Sequence, residues 1–167
     1  VRSAASAGQR AAEALTRAAV KEKEKELRNE LALHERQISE VAKKIEAGAK
    51  ERERLTAPIV RAEEQLADGD LIGDLAGLTK LKNDLFELES EGTFGTLTAR
   101  LRARALFAHG ITEAILAFLE GKTLPQAVER ARLPTWRAYG FDPKVDTRWT
   151  ARVSPKLLKV FDQIRPQ

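Results

Sequence analysis

LRNELALHERQISEVAKKIEAGAKERERLTAPI, residues 27 to 59, decides the fold. Within it Leu27, Leu31, His34, Ile38, Val41, Ile45, Gly48, Arg52, Leu55 and Ile59 recur at alternating steps of four and three. That spacing is the a/d seam of a heptad repeat, so the stretch predicts a long amphipathic helix whose apolar stripe needs a partner. A helix from Ala11 to Thr56 would be roughly 70 Å long at the standard rise, too long to cover such a stripe by itself. Leu27, Leu31, Ile38, Val41, Ile45 and Leu55 are the expected oligomerisation residues. His34, Gly48 and Arg52 are poor seam positions, and polar groups there fix register while lowering stability.

Upstream, KEKEKELRNE (residues 21 to 30) surrounds the seam with alternating charge, and the first twenty residues are helix-prone through their alanines. Downstream, Pro58 removes a backbone donor and predicts an end or a kink. A second apolar series, Leu71, Leu75, Leu78, Leu81, Leu85 and Leu88, follows at helical spacing. It could fold back on the first helix across a turn in LADGDLIGD, so the spacing allows an intramolecular hairpin or an intermolecular coiled coil. SEGTFGT (residues 90 to 96) is the next break, with a third helix expected from Thr96 to Glu120 that carries its own weak point at Gly110 and stops at Gly121. Thr123 and Pro125 should start a short helix ending in a turn at Arg132 and Leu133, and Pro134 to Gly140 another. Ser154 and Pro155 look like the cap of a terminal helix. The expected class is all-α: a long N-terminal coiled-coil helix or helical hairpin over residues 1–91, then a small basic helical bundle over residues 96–167.

Charged residues make up 32% of the 167 and aromatics 5%, which suits long helices better than a large aromatic core. Cysteine is absent, removing disulfides, thiolate nucleophiles and zinc-cysteine sites, and fits a reducing compartment. Methionine is absent even at position 1, which suggests a processed product or a fragment. No run approaches the roughly 18 apolar residues of a membrane span, and VRSAASAGQRAAEAL lacks the apolar core of a signal peptide. Charge is polarised: residues 61 to 100 carry four bases against nine acids, residues 121 to 167 ten bases against four acids. The basic end should attract phosphates or an acidic protein surface. Trp136, Tyr139, Phe141 and Trp149 could stack single-stranded nucleic acid or nucleate a core.

No catalytic set emerges. There is no phosphate loop, nucleophile elbow or HExxH pattern. His34 and His109 lack evident ligand partners. The acidic stretch Asp68, Asp70, Asp74 opens like a calcium loop but has Ile72 and Thr79 where oxygen donors are required. Neither a metal nor a cofactor is expected.

Residues 120 to 136, EGKTLPQAVERARLPTW, resemble the helix-turn-helix of phage small-terminase subunits and of many resolvases and transposases. Ala127, Val128 and Ala131 stand at the small and apolar positions, Leu133 at the apolar turn position, and Thr135, Trp136, Arg137 and Tyr139 would open the recognition helix. The family turn carries glycine where this chain has Arg132. The resemblance implies that Lys122, Arg130, Arg132 and Arg137 contact phosphates and that Thr135 or Arg137 reaches base edges. A phage or mobile-element origin would suit it.

Together these features predict a non-enzymatic, oligomeric helical protein of the cytoplasm or a virion interior, binding nucleic acid through its basic C-terminal unit. Its partners would be nucleic acid and either a second copy or another helical protein, with no membrane and no small-molecule substrate. The competing expectations are a structural or assembly subunit, such as a scaffold, adaptor or virion-internal component, or a helical domain of a larger enzyme.

Overall fold

The computed structural model describes residues 2–68 and 73–167, without the side chains of residues 2–5 and Thr93. Helix α1 spans Arg2–Asp68, α2 Leu75–Ser90, α3 Ala99–Leu119, α4 Leu124–Phe141 and α5 Pro155–Ile164. Short 3₁₀ turns cover Gly92–Thr96 and Val145–Arg148. The chain is all-α, with no strand among the described residues. Gly69 to Ile72, which hold the expected turn, Leu71 of the second apolar series and Asp70 of the acidic stretch, lie outside the described residues.

Two units make up the chain, residues 1–49 and 50–167. The boundary expected after Glu91 therefore moves to residue 49, because the end of α1 and all of α2 build the second unit's core. The first unit is helix throughout its described length. Alanine, Glu, Lys and Arg favour that state, and Lys23 pairs with Glu26 one turn on at 2.9 Å. Described side chains in this unit are exposed apart from the partly covered Ser6.

Pro58 neither ends nor breaks α1, which runs on to Asp68. A proline inside a helix costs about 3 kcal/mol. Two features offset it. Pro58 and Arg54 are both exposed, so the missing hydrogen bond does not fall on the buried face of the helix. On the other face Leu55, Ile59, Ala62 and Leu66 are buried, and each large side chain contributes about 2 kcal/mol of transfer free energy. Leu55, expected at an oligomer seam, belongs to this internal core.

In the second unit α2 runs antiparallel to the end of α1. Arg54 Nη2 meets Glu91 Oε2 at 2.7 Å at one end, and a groove lined by both helices runs from there to Gln65 and Gly77. The buried leucines Leu78, Leu81, Leu85 and Leu88 sit at helical steps. Asp74 caps α2 by accepting the Gly77 N–H at 2.9 Å. Helix α3 is the centre: every residue from Ala105 to Thr112 is buried, the pattern of a helix covered on all sides. Gly121, at φ 76°, reverses the chain after α3 while the Lys122 N–H bonds the Ala117 carbonyl at 2.9 Å, a Schellman closure. Helix α4 then returns antiparallel along α3, with the Thr123 N–H held by Gln126 Oε1 at 2.9 Å.

Arg132 and Leu133 do not form a turn. They lie inside α4, which continues through Pro134 to Phe141. Ala127, Val128, Ala131, Pro134, Thr135 and Ala138 make one buried stripe, and breaking the helix would lift half of it off α3. The turn conformation would also fall on non-glycine residues, and no described non-glycine residue takes a positive φ. Gly110 does not interrupt α3. A Cβ there would press on Thr135, reaching 3.3 Å from its Cβ and closer to Oγ1, so glycine permits the tight crossing of α3 and α4.

Candidate interaction surfaces

The seam of the first unit is bare. Leu27 is 55% exposed, Ile38 69% and Ile45 67%, and Leu31, Leu33 and Val41 also stay more than half exposed. These side chains follow from the heptad spacing and from a helix with no proline before Pro58. Monomeric proteins seldom leave a row of apolar side chains in water.

The second surface lies on α4. The buried stripe against α3 leaves Glu129, Arg132, Leu133, Trp136 and Arg137 on the outward face. Leu133 is 66% and Trp136 60% exposed. Arg132 Nε bonds Glu129 at 3.0 Å across one turn, whereas Arg137 has no carboxylate partner among the described residues. Lys122 is exposed just before the helix.

The six residues assigned to nucleic acid thus separate. Lys122, Trp136 and Arg137 are exposed and available, and Arg132 is exposed but paired. Thr135 is fully buried beneath α3, so it cannot reach a base edge. Arg130 is held by the protein's own carboxylates, Nε to Glu113 Oε2 and Nη1 to Glu120 Oε2, both at 2.6 Å. Of the aromatic group, Tyr139 and Trp149 are buried around Phe107. Its ring lies 5.8 Å from Tyr139, 6.5 Å from Trp149 and 4.8 Å from Phe161. Phe141 lies under the Arg102 guanidinium. Trp136 alone of the four remains for stacking.

Sequence reasoning missed two ionic clusters. Glu63 is buried at the end of α1 and takes both arms of Arg104 at 2.8 and 2.7 Å, with Arg148 at 3.5 Å. In the second cluster His109 sits between two carboxylates, Nδ1 2.9 Å from Glu89 and Nε2 3.7 Å from Glu113. Lys82 approaches Glu113 at 3.9 Å. Burial works against a charge on His109, but the bonds to Glu113 and Glu89 outweigh it and push its pKa up to about 9. Burial likewise opposes ionisation of Glu113, and His109 and Arg130 reverse the balance and hold it below its usual range. The sequence did carry one signal for this cluster: Glu113 stands one helical turn after His109. Its other members arrive from α2 and α4, which spacing along a single helix does not reveal.

These largely buried clusters tie helices together. The α1 seam and the outward face of α4 expose large apolar side chains to solvent. Among the described residues no helix is long and apolar enough to cross a membrane. No family model, no curated protein and no solved structure matches this chain.

Proposed function

We propose that this chain is a self-associating assembly protein, joined through the a/d face of α1 between Leu27 and Ile45. One observation carries this reading: Leu27, Leu31, Ile38, Val41 and Ile45 form an apolar row interrupted only by His34, each of the five more than half exposed. Covering it with another helix removes that surface from water, which is the driving force of coiled-coil association. Sedimentation equilibrium between ~1 and ~100 µM tests it and should show a mass that rises with concentration. The double variant Ile38→Asp/Ile45→Asp should stay monomeric with the second unit folded, because it would place unpaired charge in the seam. A monomeric wild-type chain across that range removes the reading.

Nucleic-acid binding through α4 is a second reading, favoured by the outward Trp136 beside the unpaired Arg137 and by exposed Lys122. Such a surface offers a stacking ring and two phosphate contacts. Salt-dependent binding to generic duplex DNA distinguishes it from an acidic protein partner.

A further inference from the structure

We propose that the occupant of the α1 seam is a second copy of this chain lying antiparallel, in the register that sets Leu27 against the partner's Ile45, Leu31 against the partner's Val41 and His34 against the partner's Ile38. This inference rests on the self-association proposed above and adds orientation and register to it. The seam places Leu31, Ile38 and Ile45 at a positions and Leu27, His34 and Val41 at d positions. Antiparallel helices pair a with d, so this register closes six layers in which His34 is the only polar group.

Flanking charge selects the same arrangement. Beside these layers the antiparallel pairing places Glu30 next to the partner's Lys44 twice along one edge, with Gln37 next to the partner's Gln37 between them, and Arg28 next to the partner's Ala42 on the other edge. Neither Glu30 nor Lys44 has a partner within the chain's described residues, so both are free for this contact. The one unfavourable neighbour is Glu35, which meets its own copy at the centre. An in-register parallel dimer does worse: Glu30 would face the partner's Glu35 and Lys23 the partner's Arg28, each twice, with no opposite-charge pair to compensate. Sliding the antiparallel pair by one heptad also fails. One direction sets Leu31 against Gly48 and Leu27 against Arg52; the other sets Val41 against Glu24 and brings Lys23 beside Lys44.

The chain contains no cysteine, so single cysteines report orientation cleanly. Gln37→Cys lies near the dyad and should oxidise readily to a covalent dimer, whereas Leu27→Cys, held at opposite ends, should not. Parallel pairing reverses both results. Charge exchange supplies an independent measurement without oxidation. Glu30→Lys should weaken self-association by about tenfold, Lys44→Glu similarly, and the double exchange should restore it, since two edge pairs change sign together. In a parallel dimer Glu30→Lys would instead strengthen association by meeting the partner's Glu35.

The expected outcome is twice the chain mass with the Gln37→Cys crosslink. A self-associating chain that crosslinks through Leu27→Cys, or gains affinity from Glu30→Lys, overturns the antiparallel register and leaves self-association standing. So does one that crosslinks at neither position. A chain that stays monomeric up to ~100 µM overturns both proposals and leaves the seam to a different helical protein.

Discussion

Gly110 shows how one residue can be read two ways. In the sequence it is a weak point in a helix, about 1 kcal/mol worse than alanine. In the structure it is where α4 comes closest to α3, with the Thr135 side chain resting on it. Gly110→Ala gains helix propensity and loses the crossing, and overpacking of this kind costs about 1–3 kcal/mol. The substitution should therefore lower the urea midpoint. Thr135 Oγ1 is buried without a hydrogen-bond partner among the described residues, so Thr135→Ala removes an unsatisfied hydroxyl together with the clash. The double variant should recover more than half of the loss. If Gly110→Ala proves stabilising, the close approach is not what the glycine serves.

Among the elements, those with local signals were legible. Thr123 with Pro125, Gly121, and Ser154 with Pro155 mark helix ends in the sequence, and the ends fall there. Two expectations fail for one reason: an end at Pro58, and a fresh helix start at Pro134 after a turn at Arg132 and Leu133, both fall inside continuous helices. Helix continuity at a proline is decided by the burial of residues on either side, a tertiary quantity that spacing does not contain. The same limit hid the His109 cluster, which ties α2 through Glu89, α3 through Glu113 and α4 through Arg130. This tie has a pH signature. A histidine whose pKa is raised from 6.5 to about 9 on folding stabilises the protein fully below pH ~6.5, and the contribution disappears as pH rises through ~9. Its size is on the order of 3 kcal/mol, from the free energy of each pKa unit. The unfolding free energy should therefore decline between pH 6.5 and 9 in the native chain. His109→Gln, less stable at pH 6, should lose this slope. An equal slope in both proteins would mean that His109 is not the titrating tie.

At the scale of the whole molecule, the polarity of charge was legible but its availability was not. Of the ten bases between residues 121 and 167, Arg130, Arg132, Arg148 and Arg165 have carboxylate partners in the chain, Arg165 on Asp146. Lys122, Arg137, Lys144, Arg152, Lys156 and Lys159 have none among the described residues, with Lys156 resting 4.0 Å above the Phe118 ring. Fewer phosphates can therefore be neutralised than the count of ten bases suggests. If the chain binds duplex DNA, the logarithm of affinity should fall with the logarithm of salt at about 0.9 per phosphate contacted. Arg137→Ala should reduce that slope by about 1 per bound chain, and Trp136→Ala should weaken binding with little change in slope. Arg130→Ala, which the sequence alone ranks beside Arg137, should leave the slope unchanged, because its charge is already balanced by Glu113 and Glu120. Fluorescence anisotropy on a short labelled duplex from ~50 mM salt upward measures all three. A slope that falls for Arg130 and not for Arg137 would place the contact away from the outward face of α4. No binding at ~50 mM salt would remove nucleic acid as the partner and leave α4's exposed Leu133, Trp136 and Arg137 to an acidic, partly apolar protein surface.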